Sequence, residues 1–282
     1  MPEPLPIPRG SSSLLAALVL CVPLAACQQS PKGAAPTAEP PAHAQAPAHA
    51  NEAAPASPAP DPAPTTIPAS VDLRPRLESL GLTPRPQGSR GTCSIFTTCE
   101  AIEFAWAAHS DEGGHAERLS PEFVNWAAGH AAGQPSDGNF FHNALAGFDQ
   151  SGVCPESQMP YENTFDAART PSAEALAQAA ALRDQCRGTV AVRWIIPWQP
   201  NRFGVSDEQF EEIKRVLAKG YPVAAGSGHS RLLVGYKDDA AAAGGGIFLT
   251  EDSALNRFDQ VTYEFVRKQV ADVFWIEAIP SR

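Results

Sequence analysis

The strongest constraint on this chain is a stretch that cannot build a core. From Gln28 to Thr66 the sequence is almost wholly Ala, Pro, Ser, Thr and Gln, with no Phe, Trp or Tyr and no apolar periodicity. Such a composition buries too little surface to offset the entropy of ordering a backbone, so an extended, disordered linker is expected. At ~3.1 Å per residue, its roughly 39 residues reach on the order of 100 Å. His43 and His49 in it read as solvated linker residues. A core-forming pattern starts only at Ile67, which leaves residues 67–282 as one domain of ordinary size. A net charge of −10 sets nucleic acid aside as a main partner, because phosphate binding needs a basic surface.

Residues 1–26 read as a targeting segment and are removed from the fold. Arg9 precedes an apolar run from Leu14 to Leu24 that is too short to span a membrane as a mature helix. The run ends in Leu24-Ala25-Ala26-Cys27, which resembles a bacterial lipobox. That resemblance implies cleavage before Cys27, lipidation of Cys27, and attachment to the membrane through the N-terminal lipid only. The other reading is an ordinary secretory signal cut at an alanine, with Cys27 incidental. Gln28 and Gln29 follow, with no Asp, which by resemblance to Gram-negative sorting favours the outer membrane, facing periplasm or surface.

Within residues 67–282 helices come first and strands later. Cys93 to Ala108 carries the apolar pattern of a helix. Ser120-Pro121-Glu122 opens another, with a capping Ser, Pro in the first turn and an acid at the positive end. Further helices are expected over Phe140–Gln150, from Thr170-Pro171, and from Ser206, where Gln209 completes a capping box. Strand-like runs are Val190–Ile196, Val223–Ala225, Leu232–Tyr236, Ile247–Thr250 and Val273–Ile279. This segregation predicts an α+β fold of two lobes with a cleft between them.

The chemistry centres on Gln87-Gly88-Ser89-Arg90-Gly91-Thr92-Cys93. Two glycines permit a tight loop that delivers a cysteine to a helix N-terminus, where the partial positive charge lowers a thiol pKa. Gln87, six residues upstream, is placed to donate to an oxyanion beside the sulfur, with the Cys93 amide as second donor. Gly226-Ser227-Gly228-His229 leads into the apolar run Leu232-Leu233-Val234-Gly235-Tyr236, and a neutral imidazole is the natural base for a thiol. Ile247 to Thr250 ends in Glu251-Asp252-Ser253, a polar terminus that can fix the imidazole tautomer.

These segments, in this order, resemble the papain family of cysteine peptidases. The likeness begins at Ile67-Pro68-Ala69-Ser70-Val71-Asp72-Leu73-Arg74 and includes the Gln87–Cys93 spacing, Ser120-Pro121-Glu122-Phe123-Val124, the Gly152 to Tyr161 segment and the step from His229 to Gly235. It extends to about Ile279, and it implies a papain-like fold with a helical lobe, a β-rich lobe and an active site at their junction. By resemblance Cys93 is the nucleophile, His229 the base, Gln87 the oxyanion donor and Asp252 the imidazole orienter. Gly138 and Asn139 fall where the family lines its substrate groove, and Gly228 is assigned there with them. The implied activity is peptide-bond hydrolysis on a peptide or protein substrate by a monomer, with no cofactor and no metal.

Three positions depart from the family pattern. Asp252 stands where Asn is usual, Ser94 replaces the aromatic residue after the cysteine, and Ala254 replaces a tryptophan that shields the orienter. Loss of that shield predicts a more exposed imidazole contact, and Asn256 is an alternative orienter. Two other functions fit the same residues: a transferase in which an amine resolves the thioester, and a binding module that has lost catalysis. Cys99 reads as a buried free thiol. Cys154 and Cys186, in an oxidising compartment, are expected to form a disulfide. His109, His115, His130 and His142 show no ligand spacing.

Overall fold

The computed structural model describes residues 66–109 and 116–279; Cys27, the targeting segment and all but the last residue of the linker lie outside the described residues. The first elements are a short strand β1 (Ser70–Asp72) and a helix α1 (Arg74–Ser79). The helical part then comprises α2 (Cys93–His109), α3 (Pro121–Ala131), α4 (Phe141–Ser151) and α5 (Ala173–Cys186). Strand β2 (Val190–Ile196), helix α6 (Asp207–Ala218) and strands β3 (Val223–Gly226), β4 (Arg231–Asp238), β5 (Gly246–Asp252) and β6 (Arg257–Thr262) follow, then α7 (Tyr263–Gln269) and β7 (Asp272–Ala278). The α+β class read from the sequence is the one observed.

Local signals explain the helix starts. Ser120 accepts from the Phe123 amide at 3.0 Å, with Pro121 in the first turn. Ser206 and Gln209 form the expected capping box, the Ser206 amide donating to Gln209 Oε1 at 3.0 Å. Ser172 and Thr262 cap α5 and α7 in the same way.

The strands form one seven-stranded sheet in the order β2-β7-β3-β4-β5-β6, with β1 paired to β4. Every pairing between these strands is antiparallel. Helix α2 packs against β7, β3 and β4 on one side and against α3 and α4 on the other. It is therefore buried nearly all round, which an amphipathic helix is not. Phe96, Ile95 and Ile102 fill its apolar contacts, but Thr97, Thr98, Glu100 and Glu103 are buried on it as well. Each of those polar groups must find a partner indoors.

The disulfide expected between Cys154 and Cys186 is not formed: both are buried free thiols. Cys154 sits where Ser120 donates its amide to the Cys154 carbonyl at 2.9 Å, whereas Cys186 ends α5. Burial pushes the Cys154 thiol up to about 11 and the Cys186 thiol up to about 12, so both behave as small apolar side chains.

Candidate active site

Cys93 is the first residue of α2, and helix geometry leaves its amide without an intrahelical acceptor. The loop before it is held from several directions. Arg90 is almost fully buried and donates to Glu122 at 2.6 Å, Asp137 at 2.8 Å and the Glu162 carbonyl at 2.8 Å. Its guanidinium also lies 4.7 Å from the ring centroid of Tyr161. The Tyr161 hydroxyl donates to the Gln87 carbonyl at 2.9 Å and meets the Thr92 hydroxyl at 2.6 Å.

Gly138 and Asn139 pack on this loop. A Cβ on Gly138 would sit 1.8 Å from the Gly91 carbonyl oxygen, and its φ is +85°, so only glycine fits. The Asn139 carbonyl accepts from the Ser94 hydroxyl, which ties the first turn of α2 to this segment. Ser94 thus makes a polar tether where the family pattern has a ring.

Gln87 is buried and its amide is oriented by two bonds. Ser253 Oγ donates to Gln87 Oε1 at 2.7 Å, and Gln87 Nε2 donates to the Arg90 carbonyl at 2.7 Å. The Gln87 backbone amide adds a bond to the Ser253 carbonyl at 3.0 Å. One Nε2 hydrogen remains without an acceptor among the described residues.

His229 stands in the connection between β3 and β4, with its neighbour Gly228 exposed and open to solvent. His229 Nε2 lies 2.9 Å from Asp252 Oδ1, and the Cys93 thiol is close enough to the same imidazole for its ionisation to be coupled to it. Asp252 therefore takes one ring nitrogen, and Nδ1 is the nitrogen left for the sulfur. Asp252 Oδ1 also accepts from the amides of Ala254 at 3.0 Å and Leu255 at 3.1 Å. Asn256 is an exposed turn residue with φ of +51°, away from this contact.

The expectation that loss of the tryptophan leaves this contact exposed is not met on the carboxylate side, where Asp252 is only 1% exposed. Arg231 takes over the cover. Its Nε donates to Asp252 Oδ2 at 3.0 Å, its Nη1 to the His229 carbonyl at 3.3 Å, and its guanidinium lies 5.6 Å from the Phe265 ring centroid. The register explains the meeting: Leu232 pairs with Glu251 across β4 and β5, so the next step sets Arg231 opposite Asp252.

The electrostatics follow from these contacts. Burial opposes ionisation of Cys93, but the bond to His229 and the amide and hydroxyl of Ser230 outweigh it, and the thiol pKa falls. Burial likewise opposes charge on His229, yet the bonds to Asp252 and Cys93 raise it to about 9. Asp252 is drawn down to about 2, burial being overcome by His229, the Leu255 amide and Arg231. Of the free thiols among the described residues, burial raises Cys99, Cys154 and Cys186, and Cys93 alone is lowered. The arrangement favours a thiolate–imidazolium pair.

No group of three or more His, Cys, Asp or Glu side chains that could hold a metal ion occurs among the described residues. His130 stacks on Trp126 with ring centroids 5.5 Å apart, and His142 stacks on Phe140 at 5.6 Å. Sequence reasoning gave no role to Arg231, Ser253 or Tyr161; Ser253 carried a signal as part of a polar strand end, and Tyr161 as the end of the Gly152 to Tyr161 segment.

A thiol at a helix start, an imidazole from a neighbouring sheet and a carboxylate behind it, on a helix-plus-antiparallel-sheet fold, define a cysteine peptidase. Residues 67–269 match the family described as papain family cysteine protease, and this chain belongs to that family. Among solved structures it is similar to xylellain, a cysteine protease from Xylella fastidiosa, at 18% identity and a TM-score of 0.57, over 77% of this chain and 88% of that one. It is also similar to digestive procathepsin L 3 of the Tenebrio molitor larval midgut, at 16% identity and a TM-score of 0.55, over 76% and 71%. The ragweed pollen cysteine protease Amb a 11 in its proform aligns at 16% identity and a TM-score of 0.54, over 76% and 66%. These likenesses establish the fold. Among curated proteins, no sequence matches this chain.

Proposed function

We propose that this peptidase cleaves peptide bonds through a thioester on Cys93, in the bacterial envelope, tethered by a lipid on Cys27. The observation that carries the chemical part is the convergence of Cys93, His229 and Asp252, with the imidazole 2.9 Å from the carboxylate and electrostatically coupled to the thiol.

The Cys93 thiolate attacks the substrate carbonyl, and the oxygen takes the negative charge. The free Nε2 hydrogen of Gln87 and the Cys93 amide donate to that oxyanion. His229, protonated, gives its proton to the leaving amine as the C–N bond breaks. Water then attacks the thioester, His229 accepts its proton, and the C–S bond breaks to release the acid and restore the Cys93 thiolate beside the His229 imidazolium. Gly138, Asn139 and Gly228 flank the loops that carry Cys93 and His229, which supports a substrate groove there.

The envelope placement rests on the lipobox-like Leu24-Ala25-Ala26-Cys27 and on the linker that follows, which gives a monomeric domain reach from an outer membrane. Labelling the full chain with a thiol-directed epoxide, then mapping the modified residue, tests the chemistry. Labelling at Cys93, lost in Cys93→Ala together with peptide hydrolysis, is the expected result. Labelling absent from Cys93 would favour a binding module, and amide products formed with added amines would favour a transferase. Incorporation of a radiolabelled fatty acid, abolished in Cys27→Ser, tests the anchor.

A further inference from the structure

The carboxylate beside His229 poses an electrostatic problem. An amide at position 252 would orient the ring without adding charge. An aspartate that is 1% exposed adds a full negative charge next to the pair that must form. That charge favours the imidazolium but opposes a second anion on the Cys93 sulfur. Left alone, Asp252 would hold His229 charged and make the Cys93 thiolate harder to form.

Arg231 changes that balance. Asp252 has its two oxygens divided: Oδ1 faces His229 at 2.9 Å and Oδ2 faces Arg231 at 3.0 Å. Arg231 also holds the His229 carbonyl at 3.3 Å, so it grips both the carboxylate and the backbone that carries the imidazole. Its guanidinium, 22% exposed, meets no other carboxylate within ion-pairing distance among the described residues. The charged and titratable groups acting here are few. Asp252 faces His229 and Arg231, His229 faces Asp252 and Cys93, and Cys93 faces His229 with the amide and hydroxyl of Ser230. From α7 the facing group is the uncharged Phe265 ring. The result is a row of alternating charge: sulfur, imidazole, carboxylate, guanidinium.

We propose that Arg231 is a positioning residue of the reaction: it neutralises Asp252 from the side away from His229, so that the carboxylate fixes the imidazole without suppressing the Cys93 thiolate. This rests on the reading of Cys93 and His229 as the reacting pair. Arg231 touches no reacting atom, and it acts through Asp252 and the His229 backbone. The signs are definite. Removing the guanidinium leaves an unbalanced anion, which makes the thiolate harder to form and the imidazolium harder to deprotonate. Both limbs of a pH profile then move upward. Removing the charge of Asp252 as well leaves a neutral orienter and no unpaired cation, so both limbs return.

The test uses the full chain, with Arg231→Met, Arg231→Lys and the Arg231→Met/Asp252→Asn double variant. Two profiles are read against pH: the rate of Cys93 alkylation by iodoacetamide, and kcat/KM on a fluorogenic peptide. In Arg231→Met both limbs are expected to rise by about one pH unit, with a roughly tenfold loss on the acid flank carried by kcat more than KM. Arg231→Lys keeps the charge and should hold the limbs near the native positions. The double variant should restore them, which a merely structural role for Arg231 cannot produce.

Native limbs in Arg231→Met, or limbs that stay raised in the double variant, would overturn the proposal alone. A native Cys93 that alkylates only as an ordinary thiol would overturn the active-site reading and this proposal with it. Should Arg231→Met fail to fold, the double variant and Arg231→Lys decide the matter: native limbs in both are expected, and raised limbs in the double variant overturn it.

Discussion

Two clusters of buried charge share the elements α2 and β5, and they are built to opposite rules. At the front, Cys93, His229, Asp252 and Arg231 alternate in sign and each carboxylate oxygen has a donor. Behind them, Glu100 and Glu103 from α2 and Glu251 from β5 face Arg85 and Arg118. Arg85 donates to Glu103 Oε1 at 2.9 Å and the Leu119 amide to the same oxygen at 2.6 Å, while Glu103 Oε2 has no hydrogen bond and lies 3.5 Å from Arg118 Nε. Glu100 Oε1 and both oxygens of Glu251 have no donor among the described residues.

The sharpest contrast is between consecutive residues. Glu251 and Asp252 are each 1% exposed, yet Asp252 falls to about 2 and Glu251 rises well above the ordinary carboxylate range. Burial opposes the charge of both, and more strongly at Glu251, but burial alone does not send the two in opposite directions. Partners do: Asp252 has a guanidinium, an imidazole and two amides, whereas Glu251 faces Glu100, itself raised to about 7 by burial. A proton kept on this pair bridges one oxygen of Glu100 and one of Glu251, and so links α2 to β5.

The largest effect should come at the front. Gln87→Ala removes the oriented amide and its bonds to Ser253 and Arg90, and kcat is expected to fall about 10²–10³-fold with KM little changed. Steady-state kinetics with one peptide check this; a change confined to KM would mean that Gln87 only binds substrate.

Next in size is the charge at position 252. With His229 held at about 9, the basic limb of kcat/KM should lie near pH 9 in the native enzyme and fall in Asp252→Asn. An unchanged profile and turnover would remove Asp252 from its role.

The smallest effect belongs to the rear cluster, and its sign is opposite to that of Asp252. Glu100 is raised above the ordinary value of 4.5 to about 7 and Glu251 well above it, so their contribution to stability is full below 4.5 and is lost as pH rises, that of Glu100 through about 7. His229, also raised, loses its contribution as pH rises through about 9, whereas Asp252, drawn down, loses its own only as pH falls through about 2. Thermal unfolding should therefore show a higher Tm at pH 5 than at pH 8. Glu251→Gln, which supplies a donor to Glu100, should raise Tm at pH 8 by a few degrees, about 1 kcal/mol, and flatten the dependence. A Tm that climbs from pH 5 to pH 8 would show that no proton is shared there.

Local signals made much of this legible in advance. Ser120-Pro121 and the Ser206–Gln209 box marked helix starts because capping is a short-range interaction; Cys93 and Asp252 stood out at element ends, and Gln87 and His229 in the loops that lead into α2 and β4. Strand β6, half exposed and lacking clean alternation, and the seven-residue α7 gave no comparable pattern. Arg231 was hidden because its role depends on the register of β4 against β5, which no local spacing encodes. The Cys154–Cys186 bridge was inferred from compartment and separation alone, and neither says whether two side chains face each other. The rear acids looked like ordinary polar positions on α2, since burial all round a helix comes from what packs on both its sides.

The ionisation of Cys93 is the most direct measure of the front cluster. The ultraviolet absorbance of the thiolate can be followed against pH in the native enzyme, Cys93→Ser and His229→Ala. A thiolate signal absent from Cys93→Ser, present well below neutral pH in the native chain and displaced to the ordinary thiol range in His229→Ala, is the predicted result. A native signal that titrates in the ordinary thiol range, unchanged by His229→Ala, would contradict the pairing of sulfur and imidazole.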